Sequence, residues 1–230
     1  MFLKLESACG HLFAGPTQSG KSSTIFKIIK DKDHLFKDPP KKIIYAYGAW
    51  QPAFDNLRDD VEFYEGLPSK EDIYNWTPDL NSHTLLILDD IIHQATESWD
   101  IMSLFTVHCH HRNISVFLVS QNVFCPGKCS RTVSLNCLYL WLFKNKRDRH
   151  QLKILGSQLL PGESNYFMTS YDDATEAPFN YLHVNLHPST PRKFLLQSRV
   201  LPGEVTWLYT PIKSGENPRV WSVDSEASDE

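Results

Sequence analysis

The sequence predicts an α/β fold in which a mostly parallel central sheet is covered by helices on both faces. Three observations point there. Short continuous apolar runs read as strands buried on both sides, amphipathic stretches separate them, and a glycine-bearing turn joins the first run to the first amphipathic stretch. The chain has 230 residues, 41% hydrophobic and 12% aromatic, which suffices for one ordinary domain with a packed core.

Taken in order, residues 9–14 read as the first strand and residues 20–30 as a helix with Ile25, Phe26, Ile28 and Ile29 on its apolar stripe. Pro39-Pro40 breaks the chain before a second strand at residues 43–47. A third, at 84–88, ends abruptly at Asp89-Asp90. A helix over about residues 99–108 leads to a fourth strand at 114–119, and a fifth at 137–143 precedes a helix over about 148–160. After Pro161 the character changes: residues 163–175 read as helix, and residues 181–186 and 194–200 as two strands of a hairpin or sheet edge. Beyond Gly203, turn residues and an acidic end read as a loose tail. This divides the chain into a domain of residues 1–200 and a C-terminal extension of residues 201–230, with no internal repeat.

The longest apolar run, residues 137–143, falls far short of the ~20 residues a membrane-spanning helix needs. The first six residues lack the long apolar stretch of a secretory signal. Neither a membrane partner nor secretion is expected. Five cysteines without framework spacing read as reduced thiols in an intracellular compartment. The net charge of −4 conceals an uneven distribution: residues 224–230 hold four acids and no base, which leaves the rest neutral at 23 against 23. Residues 128–153 carry seven bases (Lys128, Arg131, Lys144, Lys146, Arg147, Arg149, Lys153) against the single acid Asp148. Such an excess suits a polyanion, and a solvated helix face is an equal reading.

Gly15-Pro16-Thr17-Gln18-Ser19-Gly20-Lys21-Ser22 fits G-x-x-x-x-G-K-[ST], a phosphate-binding loop, and has the required strand before it and helix after it. Its backbone N–H groups, continued by Ser23, would converge on phosphate, with the helix N-terminus adding partial positive charge. Lys21 would bridge the β- and γ-phosphates, and Ser22 would ligate Mg²⁺. A second carboxylate is needed at the end of a nearby strand, and the run ending in Asp89-Asp90 supplies it. Asp89 is expected to hold the metal and Asp90 to act as general base; the competing role for either acid is a helix N-cap. Gln121, after the fourth strand, would sense the γ-phosphate or position water, against an ordinary Gln-Asn turn. His108-Cys109-His110-His111 with Cys125 and Cys129 carries zinc-ligand chemistry, but four adjacent helical residues cannot all face one ion, and packing is the better reading.

Residues 110–116 leading to Ser120-Gln121-Asn122, then Arg131-Thr132-Val133-Ser134-Leu135-Asn136, then Phe143-Lys144-Asn145-x-Arg147-Asp148, resemble the packaging ATPases of double-stranded DNA viruses. These belong to the FtsK/HerA branch of P-loop ATPases; Polinton/Maverick-type and adintovirus-like versions are the most similar and poxvirus-type enzymes more distant. The likeness spans about residues 12–186. It implies a RecA-like P-loop core that binds ATP and Mg²⁺, assembles as a homo-oligomeric ring, usually a hexamer, and drives double-stranded DNA, without sequence preference, into a preformed capsid at its portal vertex. It further implies work inside the host cell, in nucleus or cytoplasmic virus factory, or with the virion. Lys21 and Ser22 match the loop positions, Asp89 the metal acid, Asp90 the catalytic acid and Gln121 the sensor amide. Arg112, Arg131 and Arg147 lie where relatives supply an arginine to the neighbour's nucleotide, Arg147 being preferred; a structural or DNA-contacting role is equally open for each.

Two other readings stand beside the motor. A nucleotide kinase or small GTPase shares the loop; against the kinase, the chain has no obvious arginine-rich lid. A non-hydrolytic assembly scaffold stays open because Asp90 is shorter than the Glu usual at that position.

Overall fold

The computed structural model describes residues 4–124, 127–211 and 221–223. Ten strands form one sheet in the order β10-β9-β8-β7-β6-β1-β5-β4-β2-β3. They are β1 Gly10–Ala14, β2 Lys42–Tyr47, β3 Glu62–Glu65, β4 Thr84–Asp89 and β5 Ile114–Ser120, followed by β6 Cys137–Phe143, β7 Tyr181–Asn185, β8 Leu196–Ser198, β9 Thr206–Tyr209 and β10 Trp221–Val223. The helices are α1 Lys21–Lys30, α2 Lys32–Leu35, α3 Lys70–Trp76, α4 Ile92–Glu97, α5 Trp99–Ser103, α6 Cys109–His111, α7 Ser130–Leu135, α8 Arg149–Leu159 and α9 Ser164–Ala174. A π-helical turn, Leu104–His108, joins α5 to α6.

The strands from β6 to β3 pair in parallel, and those from β6 outward to β10 pair antiparallel. The α/β class and the helix-flanked sheet stand, and β7 and β8 pair antiparallel as the expected hairpin; what the apolar runs did not reveal is that the antiparallel part takes in four of the ten strands, β7 to β10. Its cause lies in the β6–β7 connection. A single crossover helix would carry the chain to the opposite edge and give a parallel strand. Here α8 runs away and α9 returns, so β7 begins where β6 ends, Tyr181 opposite Phe143.

Alternation along the strands fills two cores. Phe13, Tyr45, Ile87, Phe117 and Trp141 face α1, whose Ile25, Ile28 and Ile29 are buried against them. Leu12, Ile44, Leu86, Leu118 and Leu142 face the opposite side with Ala95, Ile101, Leu152 and Phe167 from α4, α5, α8 and α9. All five residues of β1 and all seven of β5 are buried, as parallel strands covered on both faces require.

The region after Gly203, read as a loose tail, contributes β9 and β10 to the sheet; the acidic residues 224–230 lie outside the described residues. The expected strand at 194–200 shortens to β8, because Arg192–Phe194 forms a 3₁₀ turn. Among the described residues, no helix is long and apolar enough to cross a membrane.

Candidate functional site

The loop between β1 and α1 is fixed at both ends. Its first residue, Gly15, donates its N–H to the Ser120 carbonyl at the tip of β5 (3.1 Å). Its last turn is made by Gly20, whose φ of 105° lies in the left-handed region that only glycine enters without strain. The first bond into α1 is Thr24 N–H to the Gly20 carbonyl, 2.9 Å, so the N–H groups before it stand outside the helical ladder and face the loop's concavity. The Lys21 ammonium folds back and donates to the carbonyls of Gly15 (2.6 Å) and Pro16 (2.8 Å). Ser19 Oγ is buried with no hydrogen-bond partner among the described residues.

Asp89 ends β4, 5% exposed. The Tyr45 hydroxyl, projecting from β2, donates to its Oδ2 at 2.6 Å. One phenol from the neighbouring strand therefore holds the carboxylate in place. The turn after β2 has to be glycine: a Cβ on Gly48 would lie 2.5 Å from the Asp90 carbonyl oxygen, and Gly48 donates its N–H to the Asp89 carbonyl at 3.1 Å. Asp90 itself has φ 59°, a left-handed conformation that Asp tolerates better than most residues. Neither acid caps a helix; α4 starts later, with Ile91 at its N-cap position.

Lys21, Ser22, Asp89, Asp90 and Gln121 line one cavity of about 480 Å³, within the range of small-molecule sites. The turn around Lys21 and the acid pair thus open on the same space. Thr17, Gln18, Gly20 and Ser23 line it too, whereas Gly15, Pro16 and Ser19 are not among its lining residues. Burial pushes the Asp89 carboxyl above its usual range, against the opposing pull of the Tyr45 hydrogen bond and the Lys21 charge. Burial likewise lowers Lys21, against both acids. A half-buried cation and a buried carboxylate that each resist ionisation are ready to take up a charged ligand and its counter-ion. The donor set fits Mg²⁺-phosphate: one hydroxyl and one carboxylate on the metal leave its remaining positions to phosphate oxygens and water.

The arginines are not brought into this cavity. Arg147 is exposed on the turn between β6 and α8, at the same sheet edge as the loop. Arg112 lies at the opposite edge, before β5; it donates to the Thr77 carbonyl at 3.1 Å and lies 3.6 Å above the Tyr74 ring. Arg131 is exposed on α7. The basic segment is weaker in space than in sequence, because Arg149 pairs with Asp172 through bonds of 2.6 and 2.8 Å. Among the described residues, no group of three His, Cys, Asp or Glu is arranged to hold a metal. Cys109 and Cys129 are buried, and Cys125 lies outside the described residues.

Sequence reasoning missed Tyr45, Gly48, Gln51 and Phe179. Tyr45 looked like one more apolar strand position, and only its pairing opposite Ile87, two residues before Asp89, brings its hydroxyl to the acid. No protein-family model matches this chain, and no curated protein matches it.

Proposed function

We propose that this chain is a Mg²⁺-dependent ATP hydrolase that moves double-stranded DNA into a viral capsid. The single observation that carries the hydrolase is the shared cavity: phosphate loop, Lys21, Ser22, Asp89, Asp90 and Gln121 open on one space. The strand order β6-β1-β5-β4-β2 fits the RecA-like core that the family resemblance implies, with β5, directly followed by Gln121, between the loop strand and the acid strand. The motor, the ring and the DNA rest on that resemblance.

In this reading the Lys21 ammonium gives up a loop carbonyl for a phosphate oxygen, and the N–H groups at the start of α1 take the others. Ser22 and Asp89 would hold Mg²⁺, which when bound neutralises phosphate charge. Tyr45 positions Asp89 through its hydrogen bond. Asp90 accepts a proton from the attacking water, and Gln121 orients that water. Arg147, exposed at the same edge, would be the arginine offered to a neighbouring subunit's nucleotide, an effect worth about 10³-fold or more in rate.

The test is phosphate release with and without duplex DNA, on protein whose assembly with an ATP analogue is measured by mass. Wild type should hydrolyse ATP faster with DNA; Lys21→Ala and Asp90→Asn should not hydrolyse it. An assembled wild type that binds ATP yet releases no phosphate would overturn this reading in favour of the non-hydrolytic scaffold.

A further inference from the structure

We infer that Phe179 is the platform on which the base of the bound nucleotide stacks; this rests on the nucleotide reading above and extends it to the half of the ligand that the phosphate loop does not touch. Among the described residues lining the cavity, Phe179 is the one aromatic. It sits two residues before β7, and Tyr181 at the start of β7 pairs with Phe143 at the end of β6. That places it at the same sheet edge as the loop.

The strand order fixes its side. Reading across the sheet, β7 and β6 flank β1 on one hand, and β5 and β4 on the other. The acids and Gln121 occupy the β4–β5 side. A nucleotide whose terminal phosphate points at Asp89 and Asp90 therefore directs its sugar and base toward β6 and β7, where Phe179 stands. Contact with the loop is direct: a Cβ on Gly20 would come within 3.0 Å of Phe179 Cβ and 3.2 Å of its carbonyl oxygen.

Phe179 is costly where it is. Its φ of 67° is a left-handed conformation that a bulky aromatic adopts only under constraint. Its side chain gives little stability in return, since the residue is 65% exposed and belongs to neither core. A strained backbone that holds an aromatic ring open at the mouth of a polar cavity is accounted for by a planar partner. Stacking reads the π-face and no hydrogen-bonding edge, so this contact favours purine nucleotides over bare phosphates without choosing between adenine and guanine.

The experiment compares ATP, GTP and inorganic tripolyphosphate binding to the full chain by calorimetry, with EDTA present to prevent turnover. Wild type should bind both nucleotides more tightly than tripolyphosphate. Phe179→Ala should lose roughly 5- to 150-fold in affinity for ATP and GTP and nothing for tripolyphosphate, while Phe179→Trp keeps the preference. Phe179→Gly, whose backbone suits the positive φ, should repeat the loss and guards against a folding artefact. Unchanged nucleotide affinity in both truncations, or an equal loss for tripolyphosphate, overturns the platform. Wild type that binds tripolyphosphate as well as ATP also overturns it while leaving the phosphate loop standing; wild type that binds none of the three removes the nucleotide reading as well.

Discussion

Asp89 and Tyr45 are 44 positions apart in the chain, yet a hydrogen bond joins them and opposes the effect of burial on the carboxyl. Burial holds the Asp89 carboxyl above its ordinary range, so its ionisation near neutral pH opposes folding of the unliganded chain. The sign follows from linkage: a raised folded-state pKa adds stability below the unfolded value, and that stability is lost as pH rises through the folded one. Asp89→Asn is therefore expected to raise the unfolding temperature of the ligand-free protein at pH 7 while abolishing Mg²⁺-dependent hydrolysis, measured by thermal melting beside phosphate release. This is the usual opposition between a stable site and a working one. Tyr45→Phe should act the other way on stability. It removes the donor to a buried carboxylate, costs about 1–3 kcal/mol, and lowers turnover because Asp89 loses its anchor. An unchanged denaturation midpoint in Tyr45→Phe would contradict that account.

At the scale of elements, the site depends on how closely the ends of β2 and β4 approach each other. Gly48 permits that approach, since an added methyl would lie 2.5 Å from a backbone oxygen of Asp90 that cannot swing away. Gly48→Ala should cost about 1–3 kcal/mol by overpacking and reduce turnover at least tenfold by moving Asp90. ATP affinity in EDTA should hold, because the loop between β1 and α1 is untouched. A matched control lies on α3, where Ser69 and Asp72 form a reciprocal N-terminal cap. Ser69→Ala should cost about 1 kcal/mol without altering turnover, as that helix contributes nothing to the cavity lining. Equal catalytic effects from the two substitutions would show that the β2–β4 approach carries no special weight.

For the molecule as a whole, acid is the predicted weakness. His11 on β1 and His183 on β7 are buried in the aromatic core beside Trp141, whose indole donates to His11 Nδ1 at 3.4 Å. Burial lowers both, His183 to about 3 from 6.5 and His11 well below its ordinary value, with each charge opposing the other at His11. The folded chain keeps these rings neutral while the unfolded chain protonates them. Their contribution is thus complete above about pH 6.5 and is lost as pH falls toward 3, at up to about 1.4 kcal/mol per pH unit for each ring. Denaturant unfolding across pH 7 to 4 should show this slope, and His183→Phe should flatten it by about one proton's worth; an unaltered slope would refute the assignment.

What the sequence determined by itself is what lies close together along the chain. The strand–loop–helix of residues 10–30, the acid pair after an apolar strand, and most of the central strands could be read because spacing and periodicity are local properties of backbone geometry. The helices α8 and α9 were legible too, to within a residue or two. Short or half-exposed elements were not: β3, on the sheet edge, is two aromatics between Glu62 and Glu65, and β9 and β10 follow a turn-rich stretch that reads as tail, so none carries a long apolar run. Only the tertiary structure decided which side of the loop the acids occupy, that Tyr45 donates to Asp89, and that Phe179 reaches Gly20 from 159 positions away in the chain. These contacts arise from strand order and from the return of the chain through α8 and α9, which no local pattern encodes, because pairing between distant strands is set by the burial of both sheet faces together.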